Sequence, residues 1–260
     1  MNEATYYDNI ISLGGNCSAA SQLKQRGLRL QAMPFDYFFL RNEEDLKKAI
    51  FALKNNFENC FLKTHLRELN ENERGTSNLY QYQDMVSGYN IIHLFKRPID
   101  NDKEYRECKK IIDRRIKRFF EACKLSKKIC FILSLDFHIK EDIILELYNV
   151  LSQITNGDVT LVLLLFNADE NKIDTSANIT IIKTTSSSNI YDYAKTNYEW
   201  SFLDSYKLCS RFKSQRSIFT INKIKKGYQI ILLNFINTIL RFNIYLFGLR
   251  LDFCIGKLRD

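Results

Sequence analysis

The sequence is poor in the residues that interrupt regular structure. Two prolines and nine glycines in 260 residues imply long helices and strands with few obligatory breaks. It is equally poor in the patterns that hold metals and nucleotides. No C-x-x-C, H-x-x-x-H or H-E-x-x-H occurs, and neither His65 nor His138 sits in a ligand spacing, so no metal site and no cofactor is expected. No G-x-G-x-x-G or P-loop occurs either, which leaves nucleotide binding with only generic support. Residues Met1–Asp8 lack the basic and then apolar pattern of a secretory signal, making the cytoplasm the expected location. The seven cysteines are scattered without paired spacing, which reads as reduced thiols rather than a disulfide framework. Cys60, Cys108, Cys123, Cys130 and Cys209 are expected to pack as small hydrophobes.

Charge of one sign is also missing from most of the chain. Ten Lys or Arg lie between Arg211 and Arg259 against only Asp252 and Asp260, so the whole net charge of +8 belongs to the last fifty residues. With no basic excess and no reader motif before them, nucleic acid is not an expected partner. From Gly227 to Leu240 no charge occurs, and Arg241 and Arg250 come after. A spanning helix would place Arg241 near the bilayer centre at a cost of about 2.5–3.5 kcal/mol. A basic helical tail over 217–251 lying on an anionic membrane surface, at the inner membrane, fits the pattern better. A helical hairpin packed on the domain is the alternative.

What is present is an ordinary globular balance, 45% hydrophobic and 26% charged, enough for one substantial core. Residues 1–210 are expected to form an α/β domain and 211–260 a basic apolar helical tail. Strands are predicted at Asn9 to Leu13, Asn90 to Phe95, Lys128 to Leu135, Val159 to Phe166 and Ile179 to Lys183. Helices are predicted at Ser18 to Arg26, Glu43 to Asn56, Asp102 to Lys124, Lys140 to Thr155 and Ile190 to Cys209. The alternation argues a mostly parallel open sheet with crossover helices. Ligands bind such sheets beyond the carboxyl ends of the strands.

One turn at such a place carries chemistry. Ile10 to Leu13 runs into Gly14-Gly15-Asn16-Cys17-Ser18, a strand, a glycine turn and a helix opening at a cysteine. Unpaired amides and the helix dipole favour negative charge there, which would make Cys17 a nucleophilic thiolate. The turn of Gly14, Gly15, Asn16 and Ser18 would cradle a ligand, with the Cys17 and Ser18 amides facing an oxyanion. A buried core cysteine or a phosphate-binding turn without covalent chemistry uses the same residues. On the predicted helix at 102–124, Arg114, Arg115 and Arg118 form either a solvated face or an anion-binding surface.

Several segments resemble a bacterial family of unknown function assigned to papain-like cysteine peptidases. They are Ser12-Leu13-Gly14 with Cys17, Gln22-Leu23-Lys24, Gly27-Leu28-Arg29 and Pro34-Phe35-Asp36-Tyr37. They continue with Asn56-Phe57 and Phe61, Tyr89 to Phe95 with His93, and Asp113 to Phe119. The likeness covers about residues 9 to 135, weakening toward 210. It implies Cys17 as nucleophile, His93 as base and a carboxylate or amide orienting the ring. Relatives usually carry an acidic residue after the histidine, where this chain has Leu94, so Asp36 is the first substitute and Asp136 the second. The resemblance also implies a helical part holding the thiol and an antiparallel sheet holding the histidine, in tension with the alternation. His93 has a blander reading as a core residue of an apolar strand. The expected function is a cysteine peptidase or thiol-dependent acyl-transfer hydrolase acting on a peptide or acyl substrate. The alternatives are a noncatalytic or transferase role in cell-surface polysaccharide biosynthesis, with a glycan or phosphate ligand, or a membrane-peripheral interaction protein.

Overall fold

The computed structural model describes residues 4–36, 38–74, 79–170, 172–185 and 199–209, together with the backbone of four further strands between 220 and 257. Two units are distinguished, Met1–Lys207 and Leu208–Asp260. In chain order the first contains β1 (Thr5–Tyr7), β2 (Asn9–Ser12), α1 (Ser18–Gln25), β3 (Phe38–Phe39), α2 (Glu43–Lys54), β4 (Leu66–Glu68), β5 (Tyr80–Asp84) and β6 (Asn90–Phe95). Next come α3 (Asp102–Leu125), β7 (Lys128–Leu135), α4 (Glu141–Ile154), β8 (Asp158–Leu165), β9 (Lys172–Thr175), β10 (Ile179–Lys183) and, ending one residue past the boundary, the short β11 (Tyr206–Leu208), which pairs with β1.

The main sheet has the order β2-β7-β8-β10-β9. β2, β7, β8 and β10 run parallel, and β9 folds back antiparallel on β10. β7 and β8 are apolar almost throughout and, apart from the half-buried Thr160, buried after their first residues, as strands covered on both faces must be. The α/β class with a mostly parallel sheet and crossover helices is therefore present. The helices begin where local chemistry favours it. Asn42 accepts from the Asp45 amide at 2.9 Å ahead of α2, and Asn101 accepts from the Glu104 amide at 3.1 Å ahead of α3.

β6 does not join that sheet. It pairs antiparallel with β3 and β5 in a second sheet of order β3-β6-β5-β4. The apolar run Asn90 to Phe95 shows a strand but not its partners, because pairing is decided by chain segments far away in sequence. Both sheets share one core, in which Phe35, Phe38, Tyr89, Ile91, Phe119 and Phe131 meet. Phe35 stacks on Tyr89 at 5.1 Å and meets Phe119 edge-on at 5.2 Å. Each such side chain contributes about 1.5–3 kcal/mol on full burial.

One further expectation is corrected. The helix predicted over 190–209 lies outside the described residues up to 198, and its end is a short 3-10 turn at Ser201–Ser205 leading into β11. In the second unit the described backbone comprises β12 (Thr220–Ile224), β13 (Gly227–Asn234), β14 (Thr238–Phe242) and β15 (Cys254–Lys257) in an antiparallel meander, and the tail expected over 211–260 otherwise lies outside the described residues. The tail's side chains, on which the membrane-surface reading depends, lie outside the described residues. Among the described residues no helix is long and apolar enough to cross a membrane.

Candidate active site

The two glycines bring three segments together. Both have left-handed backbones, Gly14 at φ 81° and Gly15 at φ 85°. A Cβ on Gly14 would lie 2.6 Å from the Phe38 carbonyl oxygen, and one on Gly15 would lie 2.1 Å from that of Ser134. The turn is thus wedged between β7 and the Phe35–Phe38 segment, where only a residue without a side chain fits. The Gly15 carbonyl accepts from the Leu40 amide at 3.1 Å, and the Gly14 carbonyl accepts from the Ser134 amide at 3.3 Å.

Asn16 anchors the start of α1. It is fully buried, and its Oδ1 accepts from the Ser18 amide at 3.0 Å and from Ser134 Oγ at 2.6 Å. The Ser18 amide, expected to face an oxyanion, is therefore occupied by Asn16. Cys17 is the N-cap residue of α1 and makes no capping hydrogen bond with its side chain. The residue is 6% exposed, at the end of the helix where backbone N–H groups converge.

His93 reaches the same place from the second sheet through an irregularity in β6. Tyr80 pairs with Phe95, but Tyr82 pairs with Ile91, so Ile92, His93 and Leu94 all stand opposite Gln81. Such a bulge re-aims a side chain out of the strand's alternation. His93 is exposed although Ile91 and Phe95 are buried, and its ring lies edge-on to Phe39 at 6.3 Å. Partial burial lowers its pKa below the ordinary histidine value, favouring the neutral imidazole that a base requires. Cys17 and His93 line one cleft of about 350 Å³ with Phe38, Ile91, Leu94 and Arg115.

Asp36, the first carboxylate expected to orient His93, is engaged elsewhere. Asp36 is 1% exposed; its Oδ2 accepts from Arg29 Nη1 at 2.9 Å and from the Met33 amide at 3.0 Å, while its Oδ1 has no hydrogen-bond partner. Neither oxygen reaches His93. Burial pushes the carboxyl up to about 6 in spite of Arg29, the Met33 amide and Arg115, which all favour its charge. Asp136 is exposed and its oxygens lie 3.4 and 3.5 Å from Asn16 Nδ2, so it supports the turn.

Around Asp36 stand the basic residues of α3. Arg118 donates to the Ala32 carbonyl at 2.7 Å. Among the described residues Arg115 has no hydrogen-bond or ion-pair partner; burial, and after it the charges of Arg114, Arg118 and Arg29, lower its pKa, while Asp36 opposes the shift. Arg114 is exposed. Of the remaining thiols, Cys60, Cys108 and Cys123 are buried and pushed up to about 12 by desolvation, which leaves them inert. His65 and His138 bond to the Asn59 and Ile139 carbonyls and do not line the cleft. No group of residues suited to a metal ion occurs among the described residues.

The signals sequence reasoning missed are the bulge at His93 and the role of Asn16 as anchor. An Asn two residues before the helix, able to bond the amide two positions on, could have suggested the second. No curated protein and no solved structure matches the chain. The comparison with protein families matches residues 8–169, a span holding Cys17, Asp36, His93 and all of α3. With well over half its length so matched, the chain belongs to the family described as "Putative papain-like cysteine peptidase (DUF1796)".

Proposed function

We propose that the protein is a thiol-dependent acyl-transfer hydrolase of the cysteine-peptidase type, with Cys17 as nucleophile and His93 as base. The observation that carries this reading is the shared cleft: a thiol at a helix N-terminus and a re-aimed, neutral-leaning imidazole line it together. His93 accepts the thiol proton, the sulfur attacks the substrate carbonyl carbon, and the departing amine or alcohol takes the proton back as its bond to that carbon breaks. Water then attacks the thioester, giving a proton to His93 and releasing the acid as the thiol reforms. The helix end supplies the partial positive charge for the oxyanion, with Ser18 excluded as a donor by Asn16.

The test is trapping of the acyl-enzyme. A p-nitrophenyl ester should leave an acyl group on Cys17, found by peptide mass spectrometry, with a burst of nitrophenolate that disappears in Cys17→Ala and is slowed about 10²-fold or more in His93→Ala. Acylation elsewhere, or at equal rate without His93, contradicts the reading.

A binding role has its own observation. A larger cleft of about 870 Å³ lies beyond the carboxyl ends of β8 and β10, lined in part by His138, Lys140, Asn167, Asp169, Lys172 and Lys183, where open parallel sheets take ligands. If ligand binding there, for instance of a glycan, is the activity, Cys17→Ala retains it in full.

A further inference from the structure

The Cys17 cleft contains a cation that holds nothing among the described residues. Arg115 projects from α3 into the cleft, half-buried, and among the described residues its guanidinium makes no hydrogen bond and no ion pair within 4.0 Å. Its neighbours are committed: Arg29 to Asp36, and Arg118 to the Ala32 carbonyl. Asp36, the carboxylate whose charge acts on Arg115, is taken up by Arg29 and the Met33 amide. Three arginines, Arg29, Arg115 and Arg118, thus share the field of one carboxylate. A guanidinium carries five N–H donors in a planar fork, and withdrawing it from water without partners is costly. Such a group is retained where a ligand supplies the missing acceptor.

The remaining walls say how strongly. Phe38, Ile91 and Leu94 are apolar, so an ion pair formed in the cleft is poorly screened. The volume, about 350 Å³, is at the small end for ligand sites and suits a short acyl group rather than an extended peptide.

We propose that this cleft selects acyl substrates carrying a carboxylate close to the carbonyl that Cys17 attacks, and that Arg115 binds that carboxylate as a fork. This rests on the thiol reading above and adds the substrate class. An acidic side chain or a short dicarboxylic acyl group meets the requirement; a neutral or cationic one leaves Arg115 unpaired.

Two alkylating agents of nearly the same shape test it. Iodoacetate and iodoacetamide both transfer their methylene carbon to the thiolate sulfur and release iodide, but only iodoacetate carries a carboxylate beside the reacting carbon. Rates at Cys17 are measured by peptide mass spectrometry in the intact protein. The ratio of iodoacetate to iodoacetamide rates should fall about tenfold in Arg115→Gln, the loss expected for one charge-assisted pair. It should fall partway in Arg115→Lys, which keeps the charge without the fork. Lys110→Gln, an exposed position on the same helix, should leave the ratio unchanged. In the unaltered protein, succinate should slow alkylation of Cys17 by iodoacetamide while succinamide does not, a comparison that needs no variant. An unchanged ratio in Arg115→Gln with iodoacetamide still reacting, or equal effects of succinate and succinamide, overturns the substrate class and leaves the thiol reading standing. A Cys17 inert to both reagents overturns both.

Discussion

Ser134 at the end of β7 donates its hydroxyl to Asn16 Oδ1 at 2.6 Å, across 118 residues of sequence. The same oxygen holds the Ser18 amide, so the direction in which α1 leaves the sheet, and with it the position of Cys17, depends on a side chain of the neighbouring strand.

Removing either end of that link should be felt. Asn16→Ala and Ser134→Ala each strip a buried hydrogen bond and should cost about 1–3 kcal/mol in urea unfolding. Asn16→Ala should be the larger, since it also abandons the Ser18 amide. Both should slow alkylation of Cys17 without affecting the buried Cys123.

The glycines of the chain are not equivalent. Gly15→Ala puts a methyl 2.1 Å from the Ser134 carbonyl oxygen, whereas Gly27→Ala, also in the left-handed region at φ 66°, meets nothing within 4 Å. Thermal or denaturant melts should show about 3 kcal/mol lost, or no folded protein, in the first. The second should lose about 1 kcal/mol, the intrinsic cost of that backbone for an L-residue. Equal losses would mean that the turn is not wedged against β7.

Asp36 should make stability depend on pH in a definite direction. The folded chain holds its proton to a pH of about 6, the unfolded chain only to about 3.9. The folded state therefore binds more protons between these values, and the carboxyl's contribution, full below about pH 4, is lost as pH rises through 6. The stability of the wild type minus that of Asp36→Asn should fall by about 2–3 kcal/mol between pH 4 and pH 7, read from paired urea titrations. A difference that grows with pH would mean that Arg29 and Arg115, not burial, dominate this carboxyl.

Much of the main sheet is legible from local pattern. β7 falls where its apolar run places it and β8 within one residue of it, because a strand buried on both faces needs a nearly unbroken apolar run. β5, Tyr80-Gln81-Tyr82-Gln83-Asp84, escapes the same reading, since its buried Gln81, Gln83 and Asp84 look like loop residues. Gln83 is satisfied by a partner remote in sequence, its Nε2 donating to Asp45 Oδ1 at 3.0 Å. The site was legible as residue types: Cys17 beyond a strand, and His93 in an apolar run. What could not be read is register. The bulge that turns His93 outward exists only against β5. The pairing of Asp36 with Arg29 is decided by how the Gly27–Asp36 segment returns along α3, and no spacing rule encodes it.

The alternation describes the sheet that carries the thiol; of the fold the resemblance implies, the antiparallel sheet holding His93 is present and a separate helical part holding the thiol is not. The parallel sheet positions the glycine turn and Cys17 through β2 and β7, and a separate antiparallel sheet carries His93. Their meeting at the cleft is the basis of the proposed chemistry.

That chemistry stands or falls on the coupling of two side chains, and the pH dependence of Cys17 alkylation by iodoacetamide, in the wild type and in His93→Ala, measures it most directly. The midpoint should lie well below the free-thiol value of about 8.5 in the wild type and move back toward that value when His93 is removed. A Cys17 that does not react, or whose profile is the same with and without His93, would contradict the pairing of thiol and imidazole.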